Sequence, residues 1–270
     1  MHDAKQTDDL HIRTDTGRVR KFIFLCFCLT LSVPAVADTR GAGTDLEFVT
    51  TPEQLLGGQQ ADRYQKILAP DKPVSWQVYL PPVDPASPPG VLVYVSPMDT
   101  GEIDSRWRVV MDQQNLIYIS ANDVGNKIPT IRRMVMANLA LKVLAQQYVF
   151  DAGRIYVSGF SGGGKVASLL ATQYPEVFTG ALYICGVYFW KEDQTPNVER
   201  VLENRFVFLT GSKDFNRMQS RRVQKRYNEA GAQHTRLIIV PGMAHRPPGA
   251  DYLTEALVFL DGQDQLRSTK

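Results

Sequence analysis

Short runs of β-branched and aromatic residues alternate with helical patterns along most of this chain, and this alternation constrains the fold more than any other feature. The strand candidates are apolar nearly throughout, which is typical of parallel strands that helices cover on both faces. We therefore predict an α/β fold with a mostly parallel central sheet. The strand candidates are residues 76–80, 91–95, 116–120, 154–159, 181–184, 206–209 and 237–240.

Helical patterns are predicted between the later strands, over residues 104–114, 131–148, 165–174, 215–230 and 251–260. In the second of them Ile131, Met134, Val135 and Leu139 recur at three- and four-residue spacing, which predicts one buried face. Several prolines lie between the first two strand candidates. Because proline cannot donate a ladder hydrogen bond, we expect these two strands near an edge of the sheet.

The composition is that of a globular protein. Of the 270 residues, 44% are hydrophobic and 21% are charged, which excludes a disordered tail and a bare coiled coil. The formal net charge is +2, so no strong field favours binding to nucleic acid or to anionic lipid. No self-similar period of solenoid length occurs, and we expect a single domain over residues 38–270.

The N-terminal segment, residues 1–37, predicts a secretory signal peptide. Basic residues within 18–21 precede an apolar run over 22–36, and small residues lie before the expected cut between Ala37 and Asp38. A membrane anchor is the alternative, but a spanning helix needs about 18 apolar residues or more. We therefore expect a secreted or periplasmic protein with no stable membrane anchor.

The strongest local motif is Gly159-Phe160-Ser161-Gly162-Gly163, between a strand candidate and a helical pattern. G-x-S-x-G in that setting is typical of a nucleophilic serine on a sharp turn, and the flanking glycines keep larger side chains out of that turn. The turn also aims the Gly162 N–H, at a helix N-terminus, toward the place where an oxyanion would form. Ser161 is therefore the candidate nucleophile and Gly162 a candidate oxyanion donor.

The same residues permit a second interpretation, because residues 159–165 also fit the phosphate-binding pattern G-x-x-x-x-G-K. A phosphate loop needs Ser or Thr at the next position to bind magnesium, and this chain has Val166 there. We therefore expect no nucleotide.

A nucleophilic serine needs a base, and two histidines follow the expected cut. His245 comes after the last strand candidate, at the carboxyl end where chemistry gathers in open parallel sheets, whereas His234 precedes that strand. We expect His245 to be the base. In the order Ser, Asp, His the acid lies between them, and Asp214 closely follows a strand candidate. Glu192 and Asp193 are rival acids.

Three aromatic residues follow the strand candidate 181–184, and we expect them either to wall a substrate pocket or to pack: Tyr188, Phe189 and Trp190. Cys185, the only cysteine after the expected cut, is interpreted as a small buried strand residue. Because His and Cys residues at paired ligand spacing are lacking, we expect no metal site.

Two blocks carry a family resemblance: Arg-Ile-Tyr-Val-Ser-Gly-Phe-Ser-Gly-Gly-Gly at 154–164 and Tyr-Pro-Glu-Val-Phe-Thr-Gly-Ala at 174–181. They resemble the polyhydroxybutyrate-depolymerase and feruloyl-esterase branch of the α/β-hydrolases, and the similarity spans most of residues 75–260. The resemblance implies an α/β-hydrolase fold, a triad of Ser161, Asp214 and His245, and an exported serine esterase that forms an acyl-enzyme and needs no cofactor.

One position departs from that family's pattern. The family usually carries His-Gly after its third strand, and this chain has Ser96-Pro97. Proline has no N–H, so Pro97 cannot be the second oxyanion donor. Met98 follows at the carboxyl end of the strand candidate 91–95, and we expect its backbone N–H to supply that donor.

The sequence thus predicts an exported serine hydrolase that cleaves a small-molecule or polymer-derived carboxylic ester through an acyl-enzyme on Ser161. The sequence has no long insertion of the kind that forms a large lid, so we expect none. A serine peptidase on the same fold is one alternative, and a catalytically degenerate α/β-hydrolase that acts as a binding protein is another.

Overall fold

A computed structural model of the chain describes residues 43–82, 84–190 and 195–262. Eight strands of these residues form one sheet in the order β1-β2-β4-β3-β5-β6-β7-β8, in which β2 runs antiparallel to both of its neighbours and all other pairs are parallel. The strands are β1 (Thr44–Thr50), β2 (Val74–Leu80), β3 (Gly90–Val95), β4 (Leu116–Ala121), β5 (Ile155–Phe160), β6 (Gly180–Ile184), β7 (Arg205–Gly211) and β8 (His234–Val240).

Helices lie between most successive strands and after the last one, and they cover both faces of the sheet. They are α1 (Pro52–Leu56), α2 (Gly58–Tyr64), α3 (Arg108–Gln114), α4 (Thr130–Ala145), α5 (Gly162–Gln173), α6 (Val198–Glu203), α7 (Arg217–Glu229) and α8 (Ala250–Leu260), with a 3-10 turn at Ser105–Trp107 before α3. The predicted mostly parallel sheet with helices on both faces is confirmed.

Successive residues of the central strands feed two hydrophobic cores, one on each face of the sheet. In β3 Val91, Val93 and Val95 pack in the core that includes residues of α4, α5 and α7. Leu92 and Tyr94 pack in the other core, with residues of α3 and α8. Because both sides of β3 are buried, the strand is apolar throughout, as the sequence pattern indicated.

The expectation that the first two strand candidates lie near a sheet edge is confirmed for β2, which is next to the edge strand β1, and wrong for β3. In addition, β1 itself was not predicted. β3 lies in the middle of the sheet, paired with β4 on one side and β5 on the other, and is fully buried. The prolines lie in the connection that precedes it and therefore remove no ladder hydrogen bond. β1 was missed, although Leu46, Phe48 and Thr50 alternate with more exposed residues, as in an antiparallel edge strand.

The buried face of α4 also differs from the prediction. Ile131 is 53% exposed, whereas Met136, Ala140 and Leu144 are buried against the sheet. Arg133 lies on the same buried face and is 4% exposed. Because Arg133 is charged, the apolar pattern did not include it, and the predicted buried face therefore differs from the observed one.

The expected signal peptide lies outside the described residues and stays a prediction. Within residues 43–82, 84–190 and 195–262, no helix is long and apolar enough to cross a membrane.

Candidate active site

The connections after β3 to β8 all begin at the carboxyl edge of the parallel strands, and the predicted site residues lie on these connections. Ser161 stands alone between β5 and α5, with φ 55° and ψ −118°. This conformation costs a non-glycine residue about 1–3 kcal/mol and persists only where neighbours enforce it. The Ser161 N–H donates to the Ile184 carbonyl at 2.8 Å, which fastens the turn to the neighbouring strand.

Glycines on either side of Ser161 let three backbone segments come close together. A Cβ at Gly163 would lie 1.8 Å from the Val95 carbonyl oxygen, and one at Gly159 would lie 2.4 Å from the Gly163 carbonyl carbon. Any larger residue would push the turn away from β3. The spacing of glycines in the motif is thus a packing requirement of this turn.

The structure brings Ser161, His245 and Asp214 together. His245 Nε2 lies 2.9 Å from Ser161 Oγ, and His245 Nδ1 lies 2.9 Å from Asp214 Oδ1. Because an ionised carboxylate only accepts hydrogen bonds, Nδ1 carries the proton. Nε2 is therefore the acceptor that faces the serine hydroxyl.

Asp214 lies in a buried network of hydrogen-bond donors after β7. Thr210 Oγ1 donates to Oδ2 at 2.7 Å, and the Asn216 N–H donates to Oδ1 at 3.0 Å. Burial by itself would raise the pKa of Asp214, but these bonds, with those from the Cys185 thiol and His245, hold that pKa below its usual value. The carboxylate is therefore kept ionised against the imidazole.

Two phenylalanines contact the imidazole of His245. The Phe215 ring stacks on it with centroids 4.1 Å apart, and the Phe160 ring lies 4.8 Å away on a tilted plane. Phe215 is 76% exposed, so this apolar surface lies open beside the base. Sequence reasoning missed Phe215, because an exposed aromatic residue before a helix has no signature of its own.

The two expected oxyanion donors differ in their partners. Gly162 is the first residue of α5, so its N–H has no carbonyl partner within the helix. The Met98 N–H donates to Ser96 Oγ at 3.1 Å within its own turn. Met98 can therefore serve an oxyanion only by sharing or exchanging that bond.

Arg133 is a second residue that sequence reasoning missed. Its guanidinium donates to the carbonyl oxygens of Val124 at 2.8 Å, Ser96 at 2.9 Å and Gly162 at 3.4 Å. Burial lowers its pKa. The Arg133 guanidinium thus contacts both segments that carry the expected oxyanion donors, one at Ser96 and the other at Gly162.

The aromatic residues after β6 divide between packing and exposure. Trp190 is 4% exposed and packs against Tyr227, while Phe189 stacks on Trp190 and on Arg226. Both pack against residues of α7, which for these two residues favours the packing alternative over a pocket wall. Tyr188 is exposed and stays a candidate for substrate contact.

Of the remaining candidates, His234 and Cys185 lie within the described residues. His234 begins β8, at the sheet edge opposite to His245. Glu192 and Asp193 lie outside the described residues. The thiol of Cys185 lies within 4.8 Å of the ligand atoms of Asp214 and His245, but those atoms already bond to each other and to Ser161. Burial raises the pKa of the thiol, so Cys185 remains protonated.

Solved structures with the same arrangement of strands and helices decide the fold. An α/β-hydrolase enzyme from the metagenome of Lake Arreo, Spain, is similar with a TM-score of 0.59 and 17% identity over 87% of this chain and 85% of that chain. This chain has the α/β-hydrolase fold. An S-formylglutathione hydrolase from Staphylococcus aureus is similar to this chain with a TM-score of 0.57 and 12% identity over 83% of this chain and 96% of that chain.

Peptidases occur among the matches as well. A protein assigned as a dipeptidyl aminopeptidase IV from Bacteroides ovatus is similar with a TM-score of 0.55 and 16% identity over 82% of this chain, which spans 36% of that chain. The model of the prolyl oligopeptidase family matches residues 138–248, which carry Ser161, Asp214 and His245. A comparison with curated proteins gave no match. The resemblance to the polyhydroxybutyrate-depolymerase and feruloyl-esterase branch stays a prediction.

Proposed function

We propose that this α/β-hydrolase is a serine hydrolase that cleaves carboxylic esters through an acyl-enzyme on Ser161. The observation that carries the proposal is the continuous series of hydrogen bonds from Ser161 Oγ through His245 to the ionised Asp214. This arrangement is the one that general-base activation of a serine requires.

The first half of the reaction follows from these contacts. His245 Nε2 takes the proton of Ser161 as Oγ attacks the ester carbonyl, and Asp214 stabilises the resulting imidazolium. The tetrahedral oxyanion accepts hydrogen bonds from the Gly162 N–H and from the Met98 N–H. When the intermediate collapses, the carbon–oxygen bond to the alcohol breaks, and His245 gives its proton to the departing alkoxide.

The second half uses the same groups with water in place of the serine. His245 takes a proton from water, the hydroxide attacks the acyl carbonyl, and the bond to Ser161 breaks. The proton returns from His245 to Ser161 Oγ. The products are a carboxylic acid and an alcohol, and none of these steps uses a cofactor.

Apolar surface beside the reacting groups supports an ester substrate with a hydrophobic part. Phe215 and Met98 are both exposed, the first on the base and the second in the expected oxyanion loop. Exposed apolar side chains around a site provide the surface that an acyl or alcohol group of low polarity would bind. The names of similar structures, a carboxylesterase from a metagenomic library and an S-formylglutathione hydrolase, agree with this class of reaction.

A serine peptidase is the second candidate function. It is favoured by the match of the prolyl oligopeptidase family model and by the similarity to the Bacteroides ovatus protein. The same three residues can attack an amide carbonyl. An ester and an amide substrate differ at the leaving group. The amine of an amide must receive its proton from His245 before the carbon–nitrogen bond breaks.

Turnover of matched chromogenic substrates tests these functions. We expect purified protein to hydrolyse p-nitrophenyl acetate and butyrate with a far greater kcat/KM than alanyl-proline p-nitroanilide, and fluorophosphonate to block the reaction. A preference for the anilide would favour the peptidase. Labelling by fluorophosphonate without turnover of any substrate would favour a degenerate binding protein.

We also propose that the protein is exported from the cytoplasm. If residues 1–37 are a signal peptide, protein recovered from the periplasm or medium begins at Asp38. Intact-mass measurement of that fraction tests this, and recovery of the full 270-residue chain there would contradict it.

A further inference from the structure

Arg133 is a buried charge whose described hydrogen bonds all go to backbone carbonyls. Among the described residues no carboxylate forms an ion pair with it, and it is 4% exposed. Burying a charge without an opposite charge is costly unless hydrogen bonds compensate for the lost water. An apolar residue on this face of α4 would avoid that cost, so the position of the guanidinium needs an explanation.

The three carbonyls that Arg133 contacts belong to three different connections at the carboxyl edge. Ser96 follows β3 and lies two residues before Met98, Val124 follows β4, and Gly162 begins α5. Two of these segments carry the expected oxyanion donors. One guanidinium thus joins the segments whose spacing decides where an oxyanion can bind.

The connection after β4 adds a further contact between the same segments. The Asn126 N–H donates to the Pro97 carbonyl at 2.9 Å. A Cβ at Gly162 would lie 2.2 Å from Asn126 Oδ1, so the asparagine side chain packs directly on the glycine. Asn126 therefore touches both sides of the expected oxyanion hole. Arg133 binds the same connection two residues earlier, at the Val124 carbonyl.

We propose that Arg133 is the positioning residue of the oxyanion hole, which fixes the Met98 turn against the N-terminus of α5. This inference rests on the proposed function. A donor stabilises an oxyanion only at about 2.7–3.1 Å, so small shifts of either segment weaken the transition state more than the bound substrate. The planar guanidinium offers five N–H groups in a fixed fork, which a lysine ammonium cannot reproduce.

Arg154 offers a matched control at the opposite edge of the sheet, just before β5. Its guanidinium also binds a backbone carbonyl, that of Gln114 at 2.8 Å, but it pairs with Asp261 at 2.9 Å. Replacing Arg154 removes a partly buried arginine far from the carboxyl edge. It should lower the free energy of unfolding without altering the oxyanion hole.

The experiment compares Arg133→Met, Arg133→Lys and Arg154→Met with wild type. For each folded variant, we would measure kcat and KM on p-nitrophenyl acetate, and the inhibition constant of an alkyl trifluoromethyl ketone, which forms a hemiketal oxyanion on the serine. We expect both Arg133 variants to lose about 10- to 100-fold in kcat, the scale of a displacement near 1 Å. The inhibition constant should rise in parallel while KM changes little, and Arg154→Met should keep wild-type kcat.

Several results would overturn the inference. Wild-type kcat in either Arg133 variant would do so, as would a loss confined to KM, or an equal loss of kcat in Arg154→Met. If Arg133→Met does not fold, Arg133→Lys decides the question, since it keeps the charge and loses the fork. Absence of turnover in the wild type would refute the proposed function as well, whereas active wild type with unaffected variants would refute this inference alone.

Discussion

The acid–base half of the site and the oxyanion half differ in how completely their hydrogen bonds are made. On one side, Asp214 accepts from Thr210, Asn216 and His245, and His245 already meets Ser161. On the other, the Met98 N–H donates to Ser96 Oγ rather than toward an oxyanion. Proton transfer from Ser161 to His245 would therefore start from hydrogen bonds already present in the free protein, whereas oxyanion binding by the Met98 N–H would require one hydrogen bond to be shared or exchanged.

The largest expected effect comes from breaking the acid–base half at its centre. His245→Ala should lower kcat by roughly 10⁶-fold, because triad members act as one unit. His234→Ala is the matched control, since His234 lies at the opposite edge of the sheet, and it should change kcat little. Esterase assays on both variants, with folding checked by circular dichroism, make the measurement. Comparable losses would show that the base was wrongly assigned.

Replacing the acid should have a smaller effect. Asp214→Asn keeps the shape of the side chain but removes the charge that holds the imidazole proton on Nδ1, so kcat should fall by roughly 10⁴-fold with KM nearly unchanged. Steady-state kinetics give both constants. Near-normal turnover would move the acid role to Glu192 or Asp193.

The oxyanion half can be broken at a single atom. Replacing the Met98 amide by an ester through semisynthesis removes its N–H, and loss of one oxyanion donor typically lowers kcat by about 10²–10³-fold. The same replacement at Thr100, two residues further along the loop, is the control. A silent change at Met98 in an active, folded enzyme would mean that another group supplies the second donor.

The smallest expected effect concerns the hydrogen bond from Thr210 to Asp214, and it is measured as a change in the free energy of unfolding. The folded-state pKa of Asp214 is depressed, so its ionised form adds stability above its unfolded pKa, and that stability is lost as pH falls through the folded pKa. Thr210→Val removes one donor and should lower the free energy of unfolding at pH 7 by about 1.5–3 kcal/mol. Urea titrations should show that difference shrinking as the pH falls below about 4, the usual pKa of an aspartate, and on through the lower folded-state pKa of Asp214. Thr210→Ser should behave like wild type, and a difference that stays constant with pH would contradict this role.

The parts of the site that were predictable from the sequence are those with a local steric signature or a fixed place in the topology. Ser161 occupies a turn that only glycines at 159 and 163 permit, and that requirement leaves a pattern in the chain. Asp214 and His245 follow strands whose carboxyl ends share one edge, so chain order was enough to bring them together.

Residues that act through tertiary contacts were not predictable. Arg133 bonds to backbone carbonyls, which exist at every position and leave no pattern in side-chain type. Phe215 stacks on an imidazole thirty positions further along the chain, and nothing local marks that contact. For Trp190 the sequence left two alternatives open, since an aromatic residue after a strand suits a pocket wall as well as the core, and its packing on Tyr227 favours the core. The edge strand β1 was within reach, because its alternation of half-buried and exposed residues is visible in the sequence.

Covalent labelling of Ser161 tests the central claim most directly. Wild-type protein treated with a fluorophosphonate should gain the mass of one adduct, on the peptide that contains Ser161, with loss of ester turnover in step with labelling. Ser161→Ala should gain none under the same conditions, and His245→Ala should label far more slowly, because Oγ would lack its base. An adduct on another residue, or an active enzyme that loses turnover without modification of Ser161, would contradict the account.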